Sequence, residues 1–184
     1  KRLIGVTCQK EMSIDNPEYE DLYDIGTVAE IVKILEMPDS SSTVILQGKK
    51  RFHLDNLTTL DPYLKGNITL LEDELPVEND KEFEALISAI KELTFKILKT
   101  LGEPTRELSF ALRNIDNSYY LINFLCSNIP IVAQQKQELL NIGSLKQRAF
   151  SLYASLSKEA QLIQIKADIQ SKTREDINQQ QREH

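Results

Sequence analysis

The sequence predicts an α+β chain, with an antiparallel sheet first and a helical bundle after it, ending in one long helix. Three observations carry this. β-Branched runs separated by turn residues fill the chain up to Pro76. Beyond Pro76 the apolar residues recur at helical spacing. After Gly143 neither Pro nor Gly occurs again, so nothing stops the last helix. The corresponding division is 1–76, 77–142 and 143–184.

Residues 2–8 are rich in β-branched types and read as a buried strand. Ser13, Asp15, Asn16 and Pro17 supply turn chemistry. Residues 27–37 are ambiguous. Val28, Ile31, Val32 and Leu35 follow helical spacing, whereas Thr27, Val28, Ile31, Val32 and Ile34 favour a strand. A loop at Pro38–Ser42 then leads to a β-like run at 43–46, a hairpin with a five-residue connection. Two further strands follow at 51–58 and 63–72, with Asp61-Pro62 turning between them.

Residues 80–100 form a helix with a broad apolar face, capped by Asp80 and ended by Gly102 and Pro104. Shorter helices are expected over Pro104–Leu112, over Asp116–Cys126 with Asp116 as cap, and over Pro130–Leu140 with Pro130 in the first turn. The last helix starts near Ser144 and runs about 60 Å at 1.5 Å per residue. Ile142, Leu145, Ala149, Leu152, Leu156 and Ile163 form its packing stripe. Beyond Ile169 its only apolar residue is Ile177, so the second half projects into solvent or pairs with another chain.

Composition excludes several function classes. The formal net charge is -6, which disfavours a phosphate-binding surface and hence nucleic acid. Residues 141–184 hold seven Lys/Arg against five Asp/Glu, leaving a net −8 on the remainder. The acid is densest from Glu72 to Glu84, a run that reads as a solvated connector. Cys8 and Cys126 both read as small buried hydrophobes in a reducing compartment. No apolar run approaches the ~20 residues of a membrane span. A cytoplasmic location is the expectation, in keeping with the reduced cysteines. Lys1 enters a strand-like run directly and Gln179–His184 carries no helix stop; both ends read as cuts in something longer.

The search for chemistry returns little. The glycines, at 5, 26, 48, 66, 102 and 143, lack the spacing of a P-loop or dinucleotide fingerprint. Two His and two Cys are scattered singly, unlike zinc ligands. His53 lies two residues from Asp55 on a strand, so a pair orienting Ser13 is conceivable, but a surface imidazole beside a surface acid is the plainer reading. Of Tyr119 and Tyr120, one is expected in the core and one on the surface. No catalytic, nucleotide-binding or metal residue is nominated, and no cofactor is expected in this chain.

Several stretches, in order, resemble the amino-terminal region of bacterial Lon-type ATP-dependent proteases. They are Asp21-Leu22-Tyr23-Asp24-Ile25-Gly26-Thr27-Val28-Ala29-Glu30-Ile31, the turn Pro38-Asp39, and Val44-Ile45-Leu46-Gln47-Gly48-Lys49-Lys50-Arg51. Ile115-Asp116-Asn117 with Leu121, Lys136-Gln137 with Leu139-Leu140, and Gln181-Arg182-Glu183 complete the series. Two departures stand out. Ser40 replaces the family's turn glycine, and Asn117 replaces its second Asp. The family's opening strand and helix would lie before Lys1; were they missing from the protein, the sheet would have an exposed edge that another chain could pair with.

The resemblance implies a PUA-like β-subdomain, with residues 27–37 a strand, joined to a helical bundle. It also implies capture of unfolded or damaged proteins and help in organising a homohexamer. ATP and Mg would serve ATPase modules elsewhere in the parent, and a Ser–Lys peptidase outside this chain would cleave. Capture needs an accessible apolar patch or a free strand edge; Met37 and Tyr63 are the candidate residues. The alternatives are a free-standing LON-domain binding module, a PUA-like RNA binder and a hydrolase built on His53.

Overall fold

The computed structural model describes residues 2–102, 110 and 112–182. The chain packs as two compact units, Lys1–Glu74 with Val132–Gly143, and Leu75–Ile131 with Ser144–His184. The structure thus groups residues 132–143 with the sheet, where the sequence division leaves them among the helices.

The first unit holds an antiparallel sheet of four strands in the order β1-β2-β3-β4. These are β1 (Leu3–Val6), β2 (Ile25–Glu36), β3 (Ser42–Thr59) and β4 (Lys65–Leu70). Residues 27–37 are strand up to Glu36, so the β-branched content prevails over the helical spacing. The connection from β2 to β3 has the expected five residues. The two runs at 43–46 and 51–58 are one continuous strand. Gly48 lies within this strand, where a Cβ would come within 3.2 Å of the Thr27 methyl. Lys49 is an extra residue that the ladder absorbs as a bulge, since Val28 pairs with Lys50 and Ala29 with Gly48.

Leu22, Phe52 and Leu54 form a buried cluster, with Tyr19, Val28 and Leu57 against it. The Phe52 ring lies so close to Gly26 that a Cβ there would sit 2.6 Å from it and 2.4 Å from the Val6 carbonyl. This is the packing reason for glycine before Thr27. β1 is a correction: all four of its residues are exposed. Cys8 is exposed as well, not a buried hydrophobe.

The short helix α3 (Ala133–Asn141, numbered after α1 and α2 below) belongs with these strands. Gln137 donates its amide to the Ile25 carbonyl at 2.8 Å. Arg51 donates Nε to Asp73 at 2.6 Å and Nη1 to the Leu140 carbonyl at 3.0 Å. The Glu74 N–H meets the Gly143 carbonyl at 2.9 Å. Helix α3 starts at Ala133, three residues after Pro130, which lies outside it. Asp73 is buried with Arg51, so this part of the acidic run is structural and not solvated.

The second unit contains α1 (Lys81–Thr100), α2 (Ser118–Asn128) and α4 (Leu145–Arg182). Asp80 caps α1, accepting from the Phe83 N–H at 3.0 Å, and Lys146 of α4 bonds its other oxygen at 2.8 Å. Lys146 holds the Asp80 carboxyl below the ordinary carboxylate range, with the Phe83 N–H second. The cap of α2 is Asn117, one residue after the expected Asp116; its side chain accepts from the Tyr120 N–H. The helix expected over Pro104–Leu112 lies outside the described residues apart from Phe110 and Leu112.

Leu145, Ala149, Leu152 and Leu156 of α4 are buried, as the packing stripe requires. So is Arg148, whose Nη1 donates to Asn123 at 2.8 Å. Beyond Ala167 every described residue of α4 is exposed. No described helix is long and apolar enough to cross a membrane.

Candidate protein-binding surface

Strand lengths in the first unit are unequal, and that inequality makes the candidate site. β1 pairs with β2 over Thr27–Glu30, with one further backbone bond from the Ile31 N–H to the Arg2 carbonyl at 2.9 Å. β4 pairs with β3 only over Phe52–Thr59. The β2–β3 hairpin extends well past both, with Leu35 opposite Thr43 and Glu36 opposite Ser42 at its far end. Among the described residues this distal arm is two-stranded. A hairpin alone has no second layer in which to bury its side chains.

The arm is apolar nonetheless. Val32, Ile34, Leu35 and Met37 are exposed on β2 and its turn, and Val44, Ile45 and Leu46 on β3. Directly opposed residues share a face. Ile34 therefore shares one with Val44, and Ile31 with Leu46, while Ile45 points to the other side beside Lys33. Contiguous exposed apolar surface of this kind marks an interaction site. The tip is a tight turn: the Met37 N–H reaches the Ser41 carbonyl at 2.8 Å and the Ser40 N–H the Met37 carbonyl at 3.0 Å. Asp39 accepts from both the hydroxyl and the N–H of Ser41. Ser40 stands at φ 65, in the left-handed region.

The two residues nominated from sequence do not come together. Met37 is in the β2–β3 turn. Tyr63 is in the β3–β4 connection, 61% exposed, with the Lys65 ammonium 4.9 Å from its ring centre. The whole of β3 separates them. Met37 belongs to the apolar arm and Tyr63 does not.

His53 holds no catalytic arrangement with Ser13. Its Nδ1 meets Asp55 at 2.8 Å and its Nε2 meets Asp24 at 3.3 Å, so both ring nitrogens are engaged by carboxylates. The Thr69 hydroxyl holds Asp55 in place at 2.8 Å. The hydrogen bond to Asp55 is the main cause raising the imidazole above its ordinary pKa; desolvation opposes it, and the charges of Asp24 and Asp55 add to the rise. Among the described residues no three His, Cys, Asp or Glu side chains are grouped to hold a metal ion.

In the second unit Tyr119 and Tyr120 are both exposed, which corrects the core-and-surface expectation; Tyr120 stacks on Phe124 at 5.9 Å. Cys126 is largely shielded, and burial pushes its thiol up to about 11, which leaves it inert. A groove of about 470 Å³ runs between α1 and α4, with Leu93, Ile97, Ala160 and Ile165 among its lining residues.

The comparisons with known proteins agree with one another. A family model described as the ATP-dependent protease La (LON) substrate-binding domain matches residues 1–158. A Lon protease of Parabacteroides distasonis is 58% identical over 184 residues, which is 100% of this chain and 22% of that protein. A Lon protease of Porphyromonas gingivalis is 44% identical over 182 residues, 98% of this chain and 22% of that protein. The chain thus spans about a fifth of the length of these relatives. Among solved structures, the N-terminal domain of a Mycobacterium avium complex Lon protease matches with a TM-score of 0.63 at 14% identity, covering 85% of this chain and 90% of that one. A Lon N-terminal domain protein from Xanthomonas campestris matches at 0.52 and 17% identity, covering 83% and 89%. At such identities these two speak to the fold alone.

Proposed function

The chain belongs to the LON substrate-binding domain family, and from that premise we propose that it captures unfolded or damaged polypeptide for a larger ATP-dependent protease. The observation that carries the reading is the apolar two-stranded arm. Unfolded chains expose apolar segments that folded ones bury, so a half-exposed apolar surface discriminates between them without reading sequence. Ordering a flexible ligand costs much of what burial gains. Capture is therefore weak and reversible, which suits a domain that passes its ligand on.

In this reading the domain binds and positions and performs no catalysis. The parent is a serine endopeptidase with a Ser–Lys dyad outside the chain. ATP and Mg are held by the parent's ATPase modules, which α4 leads toward. Misfolded, damaged and short-lived regulatory proteins are the substrates, and the setting is cytoplasmic. The parent works as a homohexamer, and self-association through residues 143–184 contributes to it; Leu162, Ile165 and Ile169, exposed at helical spacing, support this. A net charge of -6 argues against nucleic acid as the partner.

The test compares the chain with an Ile34→Lys/Val44→Glu double variant for binding to reduced, carboxymethylated α-lactalbumin by fluorescence anisotropy. Both residues are exposed and stand directly opposite each other, so the introduced opposite charges pair across the strands and the fold survives. Losing burial of two half-exposed apolar side chains costs about 2 kcal/mol, roughly 30-fold in affinity. Equal binding by the two proteins would remove the arm from the mechanism.

A further inference from the structure

We infer that the captured polypeptide docks as an added β-strand on the outer edge of β3, over Thr43–Gly48, and that this edge selects extended, uncharged, β-branched stretches. The inference rests on the capture reading above and specifies its mode.

β3 has a paired side and an open one along this stretch. On one side the ladder to β2 runs through Leu35–Thr43, Ile34–Val44, Lys33–Ile45, Ile31–Leu46, Glu30–Gln47 and Ala29–Gly48. On the other side β4 reaches only to Phe52, and among the described residues the last backbone hydrogen bond from the segment after it is that of the Leu71 N–H to the Arg51 carbonyl at 3.0 Å. From Lys50 to the tip no strand lies there among the described residues. A strand turns alternate N–H and C=O groups outward, and only another extended backbone matches such a row along its length. Six residues give about 20 Å of edge.

Native edges are usually defended by lysine, proline, a bulge or shortness. Thr43–Gly48 has no charged residue and no proline. The guards stand at its ends. Asp39 is in the turn, and Lys49, the bulge, is drawn off to Glu30 at 3.1 Å. Lys50 pairs with Glu72. The competing edge, on β2, is less suited: Val32 is an extra residue that breaks the ladder between Ile31 and Lys33, and Lys33 and Glu36 put charge on it. Along β3 the exposed Val44 and Leu46 face one way and Ile45 the other. An incoming strand would thus meet apolar neighbours on both faces and no charge to neutralise, which sets the ligand class.

The experiment uses a fluorescent ten-residue peptide alternating Val and Thr, and the same peptide with every amide nitrogen of its central four residues methylated. Methylation leaves the peptide at least as apolar but removes its donors from both edges. Strand addition predicts that methylation weakens binding at least about tenfold. It also predicts that the unmodified peptide slows amide exchange at Val44, Ile45 or Leu46, and that Ile45→Lys abolishes this protection. Equal binding of the two peptides overturns strand addition while leaving apolar capture intact. Binding of neither overturns the capture reading and the inference with it. Protection on Val32–Glu36, or protection of the β3 edge that grows with protein concentration in the absence of peptide, overturns the assigned edge or occupant.

Discussion

Replacing Arg51 by Met should loosen the sheet unit more than any surface change would. The Arg51 and Asp73 side chains are 8% and 7% exposed, and their Nε···Oδ1 distance is 2.6 Å. The same guanidinium donates to the Leu140 carbonyl, 89 residues away, at 3.0 Å. One side chain therefore ties β3 to the segment after β4 and to the end of α3. A hydrogen bond from a charged group contributes about 1.5–3 kcal/mol. Breaking a buried pair by removing one partner costs about 3–5 kcal/mol. Asp73 has further interactions besides Arg51, which points to the lower end, about 3 kcal/mol. At ~1.4 kcal/mol per decade that is roughly a hundredfold loss of amide protection. Native-state hydrogen exchange at Phe52 and Leu54, next to Arg51 on β3, reads it directly. An Arg51→Met/Asp73→Leu variant should recover most of the loss, since an apolar pair of similar volume avoids burying charge. Protection at Phe52 and Leu54 within threefold of wild type in Arg51→Met would refute the reasoning.

Other consequences follow from the same geometry. Ser40 occupies a backbone region that costs non-glycine residues about 1 kcal/mol or more. Ser40→Gly should raise stability by up to ~1 kcal/mol in urea titration, the gain being offset partly by glycine's freedom in the unfolded chain. For His53, whose folded pKa is raised, the stabilisation is fully present below the unfolded value of about 6.5 and is lost as pH rises through the folded value. The stability gap between wild type and His53→Gln should accordingly close on the alkaline side; a gap that widened there would contradict the assignment. Asp80→Ala removes the α1 cap and the Lys146 contact and should lower the thermal midpoint of the helical unit by about 4–8 °C. Because the Asp80 carboxyl is held low, its contribution is present above about pH 4 and is lost as pH falls through the folded value.

Much of the fold was legible in the residues, and the misses have physical causes. Asp80 and the stripe through Leu145, Leu152 and Leu156 are local signals, and the helices they announce are present. The helical spacing of Val28, Ile31, Val32 and Leu35 misleads because β2 carries apolar residues on both faces: Ile31 and Leu35 stand opposite Leu46 and Thr43, which point to opposite sides. The placement of α3 was invisible, since it depends on Gln137 reaching Ile25 and Arg51 reaching Leu140 across about a hundred residues. One of Tyr119 and Tyr120 was expected in the core because adjacent helical positions diverge, yet both are exposed on α2.

For the proposed capture surface, Met37 was a candidate because it stands at an element edge, and it lies exposed at the tip of the apolar arm. The larger part, Val44-Ile45-Leu46, was available as an apolar run lacking the polar alternation of a half-buried strand. What sequence could not show is that β1 and β4 stop short of it.

The measurement that bears most directly on the capture claim is photo-crosslinking of reduced, carboxymethylated α-lactalbumin, carrying diazirine groups, to this chain, with the linked peptides located by mass spectrometry. The account predicts adducts concentrated on residues 31–37 and 42–48. Adducts confined to the helical unit, or spread evenly over both units, would contradict it.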